Sequence, residues 1–198
     1  MNLNPARLSS EFKEVFQIVS EPVAILVSDR EIAGNRPKEP SLFCELVRKA
    51  AYEGKSYVVT EDDLSNYSTR VILGFNEPQY VDLCPRIKPA KTKSILIAPL
   101  GKIEVEPDIV VIITDPAHAM LIVQALSRVL KKRLEASMSC QGSAIAGEAV
   151  AIPFTEQRPN LTLLCGGARE LAGYSADELV LGLPYAIFLK MMKEVKKP

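Results

Sequence analysis

Pro107 to Thr114 reads Pro-Asp-Ile-Val-Val-Ile-Ile-Thr, the strongest strand signal in the chain. Continuous β-branched apolar residues belong to strands buried in a sheet. Asp115-Pro116 follows at once. Asp is a good N-cap and proline fits the first helical position. The spacing therefore predicts a helix from Ala117 to about Lys132, with Met120, Val123, Leu126, Val129 and Leu130 on one side. A strand feeding a capped helix in this way fits an α/β unit. The expected fold is α/β or α+β, with a mixed sheet of five or more strands and helices packed against it.

Similar patterns recur along the 198 residues. Residues 5–19 carry Leu8, Phe12, Val15, Phe16 and Val19 at helical spacing. Val23–Val27, Ile95–Ala98 and Leu161–Leu164 read as further buried strands, and Ser56–Thr60, Leu134–Met138 and Leu179–Leu183 as additional ones. Ser41 precedes a helix over 42–53 that Gly54 closes. Pro184 opens a final helix from Tyr185 to about Val195. Thr60 is positioned to cap a turn holding the acids Glu61-Asp62-Asp63. Ala144–Ala151 is rich in small residues, which permits close helix packing or close ligand approach. The chain reads as one domain with a proline- and lysine-rich connection at 76–93.

Charge and composition exclude several function classes. Lys+Arg and Asp+Glu both number 24, so no global basic field calls for nucleic acid. The basic runs at Arg128–Arg133 and Lys193–Lys197 fall in helical patterns and read as solvated helix ends. Tryptophan is absent, which argues against a base-stacking platform. Apolar runs are short and broken by charge or proline, so no membrane span is expected. The N-terminus has no secretory pattern, which points to the cytoplasm and to reduced thiols at Cys44, Cys84, Cys140 and Cys165. No Cys-x-x-Cys pair occurs, and His118 is the single histidine. It reads as a surface or packing residue at a helix start.

The best candidate for a built site is Pro159-Asn160-Leu161-Thr162-Leu163-Leu164-Cys165-Gly166-Gly167-Ala168-Arg169. An apolar strand here stops at a cysteine, two glycines and an arginine. Gly166 and Gly167 permit positive φ or close backbone approach to a ligand. Arg169 offers a bidentate donor for carboxylate or phosphate. Cys44, in the first turn of its helix with Arg48 on the same face, reads either as a partial thiolate or as a core cysteine beside a solvent-facing arginine, and free cysteine more often behaves as a small hydrophobe. Arg70 stands where the polar run Ser65–Arg70 meets the apolar Val71–Phe75. Cys140 precedes Gly142 and the small-residue stretch, leaving room for close approach. These residues are expected to line one cleft: Cys44, Arg48, Arg70, Cys140, Cys165, Gly166, Gly167 and Arg169. The opposing expectation is three separate packing cysteines.

Four segments in order carry a family likeness: Phe43-Cys44-Glu45-Leu46-Val47-Arg48-Lys49-Ala50, Leu73-Gly74-Phe75 before Glu77-Pro78, Pro107-Asp108, and Ala172-Gly173-Tyr174 through Asp177-Glu178-Leu179. From about residue 22 to 190 the chain resembles the domain-of-unknown-function 169 family. The resemblance implies an uncharacterised prokaryotic, often archaeal, cytoplasmic protein, and supplies no activity. Many members have a cysteine in the polar segment before Leu-Gly, whereas this chain has Ser65-Asn66-Tyr67-Ser68 there.

Three functions follow as expectations. The first is a small-molecule binder or enzyme whose arginines grip an anionic group. The second is a redox or iron–sulfur protein using Cys44, Cys140 and Cys165 with Cys84, at spacings unlike a ferredoxin's. The third is a structural or homo-oligomeric module without chemistry. No reaction and no cofactor is legible in the sequence.

Overall fold

A computed structural model describes residues 4–78, 85–88 and 91–195. The strands are β1 (Val23–Ser28), β2 (Tyr57–Val59), β3 (Ser94–Pro99), β4 (Ile109–Thr114), β5 (Asn160–Thr162) and β6 (Leu179–Pro184). The α-helices are α1 (Pro5–Phe16), α2 (Phe43–Glu53), α3 (Tyr67–Ile72), α4 (Pro116–Leu130), α5 (Ile152–Glu156), α6 (Gly166–Leu171) and α7 (Tyr185–Val195). A π-helical stretch, Ile145–Ala151, runs directly into α5.

The strands form one six-stranded sheet in the order β2-β3-β1-β4-β6-β5. Every neighbouring pair is antiparallel, so the sheet is not mixed and the fold is α+β. The cause is insertion. β1 and β2 point the same way on either side of a helical crossover, but β3 lies between them. β4 and β5 do the same with β6 between them. Strand–helix units thus exist as the sequence suggests, while their parallel strands never touch.

Side-chain alternation sorts the core into two layers. Ile109, Val111 and Ile113 of β4 face a layer with α2, α3, the π-helical stretch and α6. Val110 and Ile112 face α1, α4 and α7. In that second layer Phe12 stacks against Phe16 and Phe188 at centroid distances of 4.9 and 5.3 Å. β4 is buried at every position, as its composition demands.

Several boundaries differ from expectation, each for a local reason. α1 stops at Phe16 because Gln17 adopts a left-handed conformation, leaving Val19 exposed. α2 is capped at Leu42 rather than Ser41, with no side-chain cap bond, and Gly54 closes it at φ 68° as expected. α4 buries Ala119, Ile122, Ala125 and Leu126, so its inward face is rotated away from the exposed Met120. Thr60 and Asp63 form a reciprocal capping box around a single 3₁₀ turn, and the Arg36 Nε holds both Asp63 oxygens at 3.0 and 2.9 Å. Residues 134–138 form no strand. They belong to a strap tied down by side chains: the Asn160 Oδ1 accepts from the Ser137 amide at 2.8 Å, and Asn160 Nδ2 donates to the Ser137 carbonyl at 2.9 Å.

Candidate functional site

β5 ends at Thr162, two residues before the expected end. The Thr162 hydroxyl accepts the Leu164 amide at 3.0 Å, and Leu164 turns left-handed at φ 72°. Leucine, not glycine, therefore supplies the positive φ of this turn. Leu163 is consequently exposed and Leu164 buried. The chain then enters α6, with Cys165 at the capping position and Gly166-Gly167 as its first two residues. A Cβ at Gly167 would meet nothing within 4 Å, so this glycine leaves open space.

That space is a cavity of about 100 Å³. Cys44 and Cys165 both line it, together with Leu42, Phe43, Ile145 and Ala146. Leu171 stands at its edge, 69% exposed. Asn66, Thr69 and Ser143 give it a polar side, where the Thr69 and Ser143 hydroxyls are hydrogen-bonded at 2.7 Å. None of these three is among the residues that the sequence pattern singles out for the cleft. Asn66 caps α3, accepting the Ser68 amide at 2.9 Å, and a capping asparagine before an apolar run is a signal that was available.

The expected constellation is only partly assembled. Cys44, Cys165 and Gly167 share the cavity. Cys140, at φ 53°, does not line it, although Gly142 and Ser143 just beyond do. Its amide instead donates to the buried Glu148 carboxylate at 2.9 Å. Gly166 is absent from the lining, as are all three arginines. Arg169 reaches the carbonyls of Ser175, Leu163 and Glu178, pinning the 172–178 turn to the end of β5. Arg70 Nε donates to the Leu64 carbonyl at 2.8 Å. Arg48 lies over the rings of Tyr52 and Tyr174, 4.7 and 5.8 Å from their centroids. Cys84 falls outside the described residues. Cys44, Cys140 and Cys165 are free thiols. Among the described residues no group of three or more His, Cys, Asp or Glu is arranged to hold a metal.

Of the two readings of Cys44, the structure matches the core cysteine and not the thiolate. Burial pushes its pKa up to about 11, and the neighbouring Cys165 adds to the rise. Amide N–H groups of Glu45 and Cys44 itself oppose this but are outweighed. In native protein at pH 7, Cys44 should react with iodoacetamide about 100-fold more slowly than an ordinary thiol, because only the thiolate attacks. Its rate should climb about tenfold per pH unit until the pH approaches that pKa. Peptide-resolved mass spectrometry against glutathione measures this, and equal rates at pH 7 would rule the buried protonated thiol out.

A second, more polar depression of about 250 Å³ lies beyond the end of β4. His118 and Asp115 are hydrogen-bonded there, facing Tyr52, Asp177 and Glu178. The Tyr52 hydroxyl donates to Glu178 at 2.6 Å. His118 is thus held at a helix start beside its own capping residue.

With this geometry in view, comparison with known proteins gives a consistent placement. A family model, DUF169, described as "Uncharacterised ArCR", matches residues 11–194. The chain belongs to the DUF169 family. A relative, "Uncharacterized protein MJ0308" of Methanocaldococcus jannaschii, is 35% identical over 104 residues, covering 52% of this chain and 44% of that protein. The chain thus matches less than half the length of that curated relative. No solved structure matches. Every element lining the cavity falls inside the DUF169 match. Among the described residues no helix is long and apolar enough to cross a membrane.

Proposed function

We propose that this DUF169 protein binds a small, largely apolar molecule in the cavity between the start of α2, the 142–146 segment and α6. One observation carries the reading: Cys44 and Cys165, far apart in sequence, face one cavity whose other walls are mostly apolar and whose edge exposes Leu171. Binding pockets are typically apolar with a few placed polar groups. Here Asn66, Thr69 and Ser143 supply the polar side and orient the ligand. Arginine recognition of an anion is not part of the proposal, because none of Arg48, Arg70 and Arg169 lines the cavity.

Benzene is a suitable probe, since apolar cavities of this general size accept it. Titration followed by methyl NMR should shift Ile145 and Leu171 selectively. Gly167→Leu places a side chain over the opening without displacing backbone, and should weaken benzene binding at least about tenfold by the loss of apolar contact. Absence of shifts in the wild type, or equal affinity in the variant, counts against the cavity as a binding site.

A further inference from the structure

Cys44 and Cys165 are the two strongest ligating groups in the cavity, and no carboxylate or imidazole joins them there. Among the described residues no third cysteine, histidine or carboxylate joins them, whereas a structural zinc site or an iron–sulfur cluster needs four ligands. Hard cations are excluded by the same lining, which offers no carboxylate oxygens. Soft thiolates in an apolar setting select copper in its lower oxidation state.

We propose that Cys44 and Cys165 jointly bind a cuprous ion as a two-coordinate bis-thiolate. The assignment rests on the cavity being a ligand site and adds a soft metal ion, held by the two sulfurs, to the apolar molecule as a second class of ligand. The step balances as Cu⁺ plus two thiols giving an anionic copper bis-thiolate and two protons, with no change of oxidation state. Two Cu–S bonds form and two S–H bonds break. The resulting negative charge sits at the start of α2, an eleven-residue helix with no side-chain cap. Because protons leave as the metal enters, affinity rises with pH. The burial of Cys165 and the apolar walls around it limit the access of water to its sulfur.

The test is an anaerobic competition titration of the full chain with Cu(I) against bicinchoninate. The Cys84→Ser/Cys140→Ser variant should retain a single tight equivalent. Adding Cys44→Ala or Cys165→Ala to that background should weaken it at least about 100-fold, because one thiolate ligand is lost. Unchanged affinity in either triple variant overturns the proposal. X-ray absorption on copper-loaded wild type guards against misfolded variants: two sulfur neighbours support the assignment, and any other sulfur count overturns it. Benzene binding to the metal-free protein is measured in parallel. Benzene shifts without tight copper leave the cavity reading standing and remove the copper one. Copper held by two sulfurs without benzene shifts does the reverse.

Discussion

Replacing Gly182 by alanine is expected to destabilise the protein by about 3 kcal/mol or more, lowering Tm by about 6–12 °C. Gly182 lies in β6, paired with Val111 on one side and Asn160 on the other. A Cβ built there would sit 1.8 Å from the Ala149 carbonyl oxygen and 2.6 Å from its carbon. The obstruction is backbone, so no rotamer change relieves it. The π-helical stretch lies directly on the sheet at this point, which is why Ala146, Gly147, Ala149 and Ala151 are small and buried. Either the helix lifts, opening voids around Val150 and Val180, or the strand shifts within its ladder. Gly142→Ala is the control, since its Cβ would meet nothing within 4 Å. Thermal and urea melts of the two variants decide the matter. A Gly182→Ala protein within about 0.5 kcal/mol of wild type would show that the close approach is unimportant, as such a change is typical of an unconstrained surface site.

The strands were legible where apolar residues run without a break. β4 is buried throughout and β1 over Val23–Ile25, so neither has a polar alternation to obscure it, and their ranges follow directly from apolar runs. What the pattern could not specify is which strands become neighbours. The same β–α–β spacing serves a parallel pair or one split by a later strand, and here β3 and β6 do the splitting. Leu134–Met138 has strand-like content, yet its backbone is tied by the side chains of Asn160 and Arg158, a nonlocal arrangement with no local signature. The turn after β5 failed for another reason. A threonine hydroxyl stabilises positive φ at Leu164, where residue preference points to glycine.

The candidate site was legible in its cysteines and not in its charges. The pattern places Cys44 in a first helical turn and Cys165 at a strand end, and the fold, which makes Cys165 the cap of α6, brings both to one cavity. Arginines are long, and their termini find partners several residues away. Arg169 meets three backbone carbonyls that only the folded 163–178 segment assembles. A helix start also suggested a lowered thiol pKa for Cys44, but desolvation outweighs two amide bonds there.

Asn160→Ala is expected to cost about 3 kcal/mol, from several buried hydrogen bonds lost and their partners left unsatisfied. Asn160 is fully buried. Its Oδ1 accepts from the Ser137 amide at 2.8 Å, and its Nδ2 donates to the carbonyls of Ser137 and Glu148 at 2.9 and 2.8 Å. One side chain therefore joins β5, the π-helical stretch and the 134–143 strap. Glu148 holds the next strap residues, accepting the amides of Ser139 and Cys140 at 2.6 and 2.9 Å. Removing Asn160 should free the strap locally before the sheet opens, because the strap has few buried apolar groups of its own. Amide exchange at Ser137, Ser139 and Cys140 should accelerate far more than exchange in β4. Since Gly142 and Ser143 form one wall of the cavity, benzene affinity should fall in the same variant. Asn160→Asp should be no milder, as a carboxylate would face the Ser137 and Glu148 carbonyls that now receive Nδ2. Unchanged exchange at residues 137–140 in Asn160→Ala would mean that Glu148 and Arg158 hold the strap without it.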